Sequence, residues 1–270
     1  MLSDVTIGQF FPGNSPLHRL DPRMKLALTF AYIVAVFIPQ NGIGLALAAV
    51  FMAFVVLLSR LPLSLVLRSM KPVLPLILLT AIINLFYAQG EALWQWWILR
   101  ITPEGIANAV FIAVRILCLI VGTSLLTYTT SPTALTDGLE RLLSPLKVLR
   151  FPVHEIAMMM TIALRFIPTL IEETDKIMSA QKARGADLES GGLLQRVRAL
   201  IPILIPLFVS SFRRAYELAT AMECRCYRGG EGRTRMKQFR LCARDIVSLL
   251  VMAAFVAALF VLNGYVKPII

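Results

Sequence analysis

The sequence contains few of the residues from which active sites are usually built. Only two histidines, His18 and His154, and four cysteines occur among its 270 residues. Cys224 and Cys226 lie two positions apart, which is not the usual Cys-x2-4-Cys zinc spacing. The motifs typical of phosphate-binding loops, serine hydrolases and zinc metalloproteases are all absent. We therefore expect no nucleotide hydrolysis, no metal site and no enzyme activity in this chain.

Charged residues are also scarce, at 16% of the chain against roughly 25% in soluble domains. Hydrophobic residues make up 57%, and the mean hydropathy is +0.74. This composition excludes a disordered chain and argues against a water-soluble enzyme. The 27 basic and 16 acidic residues leave a net charge of +11. A basic excess on so apolar a chain predicts a multi-pass membrane protein with Lys and Arg on the cytoplasmic side.

Apolar segments long enough to approach a membrane span recur along the chain. We predict a cytoplasmic lead-in at 1–25, transmembrane helices within 26–128, a cytoplasmic or interfacial region at 129–245, a last transmembrane helix at 246–266 and an outer tail at 267–270. The prolines, glycine and apolar residues of 11–23 predict a packed, turn-rich lead-in, in which Asp21 can cap the following helix and Pro22 suits its first turn. The spans within 26–128 are 26–38, 43–58, 73–87 and 106–128. The connecting segments carry six basic residues on one side and two on the other. This asymmetry predicts a plasma-membrane protein with its N-terminus inside and its C-terminus outside.

The region 129–245 holds 18 of the 27 basic residues together with 12 acidic ones. Apolar residues at helical spacing predict one long helix at about 154–184 and a second at about 207–225, after Pro202 and Pro206. Each predicted helix ends at an arginine. The end segments are Ala183-Arg184-Gly185 and Cys224-Arg225-Cys226. An arginine at a helix end usually complements the helix dipole, but two on one side of a membrane protein also suit a partner's acidic or carbonyl-lined groove.

Other residues are candidates for contacts within the bundle or with a partner. Arg115 lies near the middle of a predicted span, where a charge costs several kcal/mol, so it should face the bundle, a polar cavity or a partner. Its simpler role is pairing with a backbone carbonyl or with Asn84. A methionine triplet could serve packing or form an adaptable contact surface. The remaining candidates are Met158, Met159, Met160, Phe208 and Phe212.

Several long motifs resemble the T component of energy-coupling factor (ECF) transporters. They are PGNSPLHRLDPRMK at 12–25, TIALRFIPTL at 161–170, QKARGAD at 181–187 and AMECRCYRGGEGRT at 221–234. The resemblance covers essentially the whole chain. It implies an all-α, polytopic membrane helix bundle with long amphipathic cytoplasmic coupling helices.

The resemblance also implies partners and roles. The T component couples two ATP-binding-cassette (ABC) ATPases to one or more substrate-binding S components for vitamin or metal-ion uptake. ATP and magnesium belong to the ATPases, so this chain is expected to hold no cofactor, and its surroundings are a lipid bilayer rather than nucleic acid. The family's two X-Arg-Gly docking motifs map onto 183–185 and 224–226. Cys226 stands where the second motif has glycine.

Two other function classes remain as alternatives. A membrane-embedded enzyme would need clustered polar catalytic residues at the membrane surface, which the sequence does not display. A basic scaffold on anionic lipid or nucleic acid would show salt-sensitive binding by the 128–245 segment.

Overall fold

A computed structural model of the chain describes residues 10–87, 94–96, 99–186, 192–230 and 242–265. The described part contains nine α-helices: α1 (Pro22–Phe37), α2 (Gly42–Ser59), α3 (Leu63–Met70), α4 (Leu74–Tyr87), α5 (Pro103–Thr129), α6 (Pro132–Leu142), α7 (Val153–Ala183), α8 (Leu193–Cys224) and α9 (Ala243–Tyr265). Two 3-10 helices, Lys71–Val73 and Ser144–Leu149, and an antiparallel hairpin of β1 (Trp94–Trp96) and β2 (Leu99–Ile101) complete it. The predicted all-α polytopic class is confirmed, and the short hairpin was not predicted.

The described residues form two compact units. The bundle unit contains the described residues up to 141 together with 242–265, and so holds α1 to α6 and α9. The α7–α8 unit contains the described residues between 142 and 230. Helix α6 lies in the bundle unit, although the sequence boundary at 129 had grouped it with the coupling region.

The lead-in (residues 10–21) is folded around His18. Its ring Nε2 lies 3.0 Å from the carbonyl oxygen of Phe11, so Nε2 carries the proton and Nδ1 accepts the Ser15 hydroxyl at 2.7 Å. A Cβ at Gly13 would lie 2.9 Å from the same ring, so only glycine packs there without displacing it. Burial lowers the pKa of His18 below its usual 6.5, against the opposing hydrogen bond to Phe11. The ordered lead-in agrees with the prediction of a packed, turn-rich segment.

Helix α1 begins at Pro22, four residues before the predicted span, with Asp21 as its N-cap. The side chain of Asp21 accepts a hydrogen bond from the backbone N–H of Arg23 at 3.0 Å, and Pro22 occupies the first helical position. The backbone N–H of Asp21 in turn donates to the Asp245 carboxylate on α9 at 3.0 Å. The other oxygen of that buried carboxylate accepts the N–H of Cys242. The starts of α1 and α9 are therefore held together.

Lys25 joins the same end of the bundle unit to α5. Its side chain is 7% exposed, and its Nζ donates to the carbonyl oxygens of Thr129 at 2.8 Å and His18 at 3.2 Å. A third hydrogen bond, of 3.3 Å, goes to the Thr130 hydroxyl. The three ammonium protons thus have three acceptors, and the positive charge lies at the negative end of the α5 dipole. We call this end of the bundle unit, where α1 and α9 begin and α5 ends, the lead-in end.

Hydrogen bonds also fix the opposite end. Asn41 caps α2 through the N–H of Gly44 and donates to the carbonyl of Leu262 on α9. Asn263 accepts from the N–H of Gln40 and donates to the carbonyl of Ile38. The turn between α1 and α2 is therefore tied to the end of α9. The start of α1 is joined to the start of α9, and the end of α1 to the end of α9, so the two helices run parallel.

Aromatic side chains fill the centre of the bundle unit. Phe51 of α2 and Phe255 of α9 stack with ring centroids 4.1 Å apart, and Tyr32 of α1 lies 6.2 and 6.3 Å from them. Helix α5 approaches this cluster closely because Gly122 has no side chain. A Cβ there would lie 2.7 Å from the Tyr32 ring. Small residues commonly allow such close helix contact in membranes.

Most predicted spans agree with the observed helices to within a few residues, the exception being the first, since α1 starts four residues before the predicted 26. The loop predicted at 60–71 instead contains the amphipathic helix α3, whose Val66 is buried in the core. This helix was not predicted because its eight residues are too few to span a membrane.

The predicted start of the second coupling helix at about 207 is wrong, since α8 begins at Leu193 and contains both Pro202 and Pro206. A proline at 206 cannot donate to the carbonyl of residue 202. In the structure the side-chain amide of Gln181 donates to that Pro202 carbonyl at 3.4 Å. The orphaned acceptor is thereby satisfied, and the helix continues through the prolines.

Six helical segments are long and apolar enough to cross a membrane, judged by length and composition. They are Gly42–Ser59, Leu63–Leu85, Pro103–Thr129, Val153–Ala183, Arg198–Cys224 and Ala243–Tyr265. The set includes α7 and α8, which the sequence analysis assigned to the cytoplasmic or interfacial region, and omits α1, which has 16 residues. The chain is a multi-pass membrane protein; the placement of its termini stays a prediction.

Replacing Lys25 with Met should destabilise the bundle unit. The variant loses three hydrogen bonds and leaves buried carbonyls without a donor, which we expect to lower the free energy of unfolding by about 2–4 kcal/mol. The measurement is thermal unfolding of the full-length chain in detergent. Lys71→Met, at an exposed lysine, serves as the control. Equal unfolding midpoints for the two variants would contradict the assigned role of Lys25.

Candidate functional site

The end of α7 has a defined backbone geometry. The N–H of Gly185 donates to the carbonyl of Lys182 at 3.0 Å, and the N–H of Ala186 donates to that of Gln181 at 3.0 Å. Gly185 adopts a left-handed φ of +85°. These two bonds and the left-handed residue define a Schellman motif, in which Arg184 is the C-cap. The predicted helix end at Gly185 is confirmed.

The end of α8 repeats this geometry. The N–H of Cys226 donates to the carbonyl of Glu223 at 2.8 Å, and that of Tyr227 donates to Met222 at 3.0 Å. Cys226 takes the left-handed position with φ of 54°, and Arg225 is the C-cap. The backbone angles of the two C-caps are similar: φ −83° and ψ 3° at Arg184, and φ −90° and ψ 13° at Arg225.

The replacement of glycine by Cys226 therefore leaves the fold of the second motif unchanged. A left-handed conformation costs a residue with a Cβ roughly 1–2 kcal/mol, because the Cβ approaches the carbonyl oxygen. The two hydrogen bonds of the Schellman motif hold Cys226 in that conformation. Arg184 and Arg225 consequently project from equivalent positions of equivalent helix ends.

Helices α7 and α8 are joined by a polar contact near their middles. The Glu173 carboxylate accepts a hydrogen bond from the Ser210 hydroxyl at 2.5 Å through one oxygen and pairs with the Arg214 guanidinium through the other. Two turns further along α7, Gln181 reaches Pro202, which lies two turns earlier on α8. Residue numbers rise on one helix as they fall on the other, so the helices run antiparallel.

The antiparallel arrangement places the two arginine-bearing ends at opposite ends of the pair. The loop after α8 returns to the start of α7, where Gly230 lies so near His154 that a Cβ would be 2.6 Å from its ring. Extending the pairing of residues 181 and 202, Arg184 lies level with about residue 199 of α8. At 1.5 Å per residue, Arg184 and Arg225 are then on the order of 35–40 Å apart.

Both guanidinium groups are available for a partner. Arg184 and Arg225 are exposed, and within the described ranges neither forms an ion pair or a side-chain hydrogen bond. A guanidinium carries five N–H donors in a fixed planar arrangement, which suits carboxylates and backbone carbonyls. Ala183, Gly185, Cys224 and Cys226 are exposed as well, so each whole motif is accessible.

The apolar candidates lie on exposed faces of the same unit. Phe208 and Phe212 on α8 are exposed, the latter by 72%, while on α7 Met159 is exposed by 57%, Met160 by 38% and Met158 is half-buried. Exposed Ile201, Ile205 and Tyr216 extend the stripe that Phe208 and Phe212 form on α8. Their spacing of three and four residues was a readable signal, but the prediction stopped at the prolines.

Arg115 makes its contacts inside the bundle unit. Its Nη2 donates to the carbonyl oxygen of Pro39 at 2.6 Å, and its guanidinium carbon lies 4.6 Å from the Phe111 ring centroid and 5.8 Å from that of Phe37. Asn84, the other suggested partner, donates to Thr80 of its own helix. The carbonyl pairing and two aromatic faces account for this charge, and a contact with an S component stays a prediction.

Among the described residues, no group of three His, Cys, Asp or Glu side chains is arranged to hold a metal ion. None of the four cysteines forms a disulfide; Cys118 is buried, and Cys224, Cys226 and Cys242 are exposed.

Known proteins match this chain along most of its length. The family model described as "Cobalt transport protein" (CbiQ) matches residues 13–236. The chain is 55% identical over 247 residues to an "Energy-coupling factor transporter transmembrane protein EcfT" of Ruminiclostridium cellulolyticum, covering 92% of each chain. Proteins of the same name from Clostridium kluyveri and Bacillus subtilis are 53% and 47% identical, covering 93% and 94% of this chain and 93% and 97% of theirs.

Exchanging the residues at the two left-handed positions should change stability in opposite directions. Cys226→Gly removes the strain of the left-handed cysteine and should raise the free energy of unfolding by about 1 kcal/mol. Gly185→Cys should lower it by a similar amount. No atom outside the adjacent chain lies within 4 Å of a Cβ at 185, so backbone strain is the only cost there.

The measurement is thermal or denaturant unfolding of each variant in detergent, with the double exchange as a control that should return close to the wild-type value. A destabilised Cys226→Gly variant would contradict the left-handed assignment.

Proposed function

The chain belongs to the family of energy-coupling factor transporter transmembrane proteins, and from this premise we propose that it couples two ABC ATPases to a substrate-binding S component. It is the transmembrane component of an ECF transporter, a multi-pass membrane subunit that associates with ATPase and S components. It is not a catalytic subunit, in agreement with the sequence prediction.

The single observation that carries the coupling role is the repeated helix end. Two helices of one unit finish in the same Schellman motif, each with an exposed arginine at the C-cap. Proteins that bind two equivalent partners need two equivalent contact points. Residues 183–185 and 224–226 provide them, and each arginine would enter an acidic or carbonyl-lined groove of one ATPase.

The antiparallel pairing supports docking to two ATPases rather than one. The arginines project from opposite ends of the α7–α8 pair and are separated by on the order of 35–40 Å, by helical rise. A single small groove could not accept both. Two ATPases that approach each other when ATP binds would therefore move the two ends of the pair together or apart. ATP and Mg²⁺ would be held by the ATPases, and this chain is expected to need no cofactor.

The contact at the middle of the pair supports transmission of that movement. Glu173 holds both Ser210 and Arg214, so the helices are joined by more than apolar packing. Displacing one helix end would then shift the exposed apolar stripe of α8, including Phe208 and Phe212, and the methionines of α7. These side chains would contact the S component, and a flexible methionine surface suits a partner that changes its orientation.

The transported substrate would be a vitamin or a metal ion, bound by the S component. The described residues of this chain contain no metal-holding cluster, and the exposed stripes on α7 and α8 are mainly apolar. Substrate choice is accordingly assigned to the partner.

Replacing the two arginines should separate the chain from its ATPases. We expect the Arg184→Glu, Arg225→Glu double variant to recover at least tenfold less ATPase on affinity purification from detergent. The substitutions remove both guanidinium groups and the charge-assisted hydrogen bonds that they would donate to the ATPases. Single Ala variants should have intermediate effects, and substrate uptake by whole cells should fall in parallel.

Arg68→Glu is the matched control, since Arg68 is an exposed arginine on α3, outside both arginine motifs and outside the α7–α8 unit. It should leave ATPase recovery and uptake near wild type, and all variants should remain in the membrane fraction. Undiminished recovery and transport by the double variant would contradict the proposal.

A further inference from the structure

The bundle unit contains an apolar cleft that the coupling role does not use. Its volume is about 540 Å³, within the range of roughly 300–1,000 Å³ typical of small-molecule sites. The lead-in and helices α1, α2, α5 and α9 surround it. Its walls include Leu28, Phe54, Leu58, Leu126, Val247 and Val251.

The cleft has the depth of one membrane leaflet. Along α9 its lining runs from Ala243 to Met252, and nine steps of 1.5 Å give about 13.5 Å. Half of a hydrocarbon core is about 15 Å. The cleft begins at the lead-in end of the bundle unit and ends at the aromatic cluster of Tyr32 and Phe51. A membrane-spanning partner helix would need a groove about twice as long.

Several polar groups along the cleft are hydrogen-bonded within the protein, although the Tyr32 hydroxyl at its inner end is not. The Ser248 hydroxyl donates to the carbonyl of Asp245, and the Thr129 hydroxyl donates to that of Leu125. The three donors of Lys25 are engaged at the end of α5. The walls therefore present a continuous apolar surface with few polar groups that could recognise a polar solute.

One charge at the lead-in end is available. Arg244 lines the mouth of the cleft, is exposed, and forms no ion pair or side-chain hydrogen bond within the described residues. The nearby carboxylate of Asp245 is committed to the N–H groups of Asp21 and Cys242. An apolar cleft one leaflet deep with a free guanidinium at its mouth is complementary to an amphiphile with one long chain and an anionic head.

We propose that this cleft binds an anionic phospholipid of the leaflet at the lead-in end. One acyl chain lies between α1, α2, α5 and α9, and the phosphate pairs with Arg244. The lipid thereby fills the gap between the lead-in and the helices that Lys25 and Asp245 hold together. Basic side chains beside membrane spans generally attract anionic lipid in this way.

The test measures thermal unfolding of the full-length chain in detergent while phospholipid is titrated. Phosphatidylglycerol and phosphatidylcholine with the same acyl chains are compared, and glycerol phosphate provides the head group alone. We expect half-maximal stabilisation at about fivefold lower concentration for phosphatidylglycerol, the contribution of one basic residue at an anionic surface. Glycerol phosphate alone should have no effect.

Two variants separate the head-group and chain contacts. Arg244→Gln should make the two lipids equivalent while retaining stabilisation by both. Val251→Trp fills the cleft and should abolish the response to both lipids. Val261→Trp, an equally bulky change at an exposed position of α9 outside the cleft, should behave like wild type.

Retention of the phosphatidylglycerol preference by Arg244→Gln, or a normal response of Val251→Trp, would overturn the proposal. Stabilisation by glycerol phosphate alone would indicate a soluble phosphate site instead. A photo-crosslinking residue at position 251, used in native membranes of the assembled transporter, should label phospholipid. Labelling of a protein subunit in its place would contradict a lipid occupant.

Discussion

Lys25 places a positive charge, largely buried, against the last carbonyls of α5, and much of the bundle unit depends on that contact. In a membrane, helices gain little from apolar burial alone because lipid tails are as apolar as their side chains. Polar contacts at helix ends can therefore specify which helices meet. Lys25 connects α1 to α5, the Asp21–Asp245 contact connects α1 to α9, and Asn41 and Asn263 repeat this connection at the other end. Between them, the aromatic stack of Tyr32, Phe51 and Phe255 fills the interior.

The α7–α8 unit uses polar contacts differently. Arg184 and Arg225 at its helix ends are exposed, and its ion pair lies near the middle, where Glu173 meets Ser210 and Arg214. Transmission of movement along the α7–α8 pair requires helix ends that bind partners and a central contact that keeps the two helices in register. The exposed apolar side chains of α8 include Phe208 and Phe212, which lie on either side of Ser210 along the helix.

The lipid and ATPase proposals concern separate units and separate contacts. The cleft beside Arg244 lies wholly within the bundle unit, whereas the arginine motifs lie in the α7–α8 unit. A bound acyl chain would complete the packing around the lead-in, and so would reinforce the contacts that Lys25 makes. Free cations in the two units would thus serve different neighbours: lipid phosphate at Arg244, and protein grooves at Arg184 and Arg225.

Much of this protein could be predicted from the order of its residues, because the relevant signals are local. Apolar length predicted the spans, Asp21 and Pro22 predicted the start of α1, and Gly185 predicted the end of α7. The motifs at 12–25, 161–170, 181–187 and 221–234 identified the family. Each of these depends on neighbouring residues or on helical rise, which hardly vary with tertiary context.

Other features depended on residues distant in the chain. Pro202 and Pro206 predicted an interruption before the second coupling helix. The side-chain amide of Gln181 on α7 instead satisfies the carbonyl of Pro202, and α8 continues through both prolines. Cys226 read as a departure from the docking motif, yet two backbone hydrogen bonds hold it in the conformation of glycine. Arg115 found its acceptor 76 residues away at Pro39. Sequence alone determined most of the long helices and where they end; only the tertiary structure decided which buried charges and orphaned carbonyls are satisfied, because their partners lie on other helices.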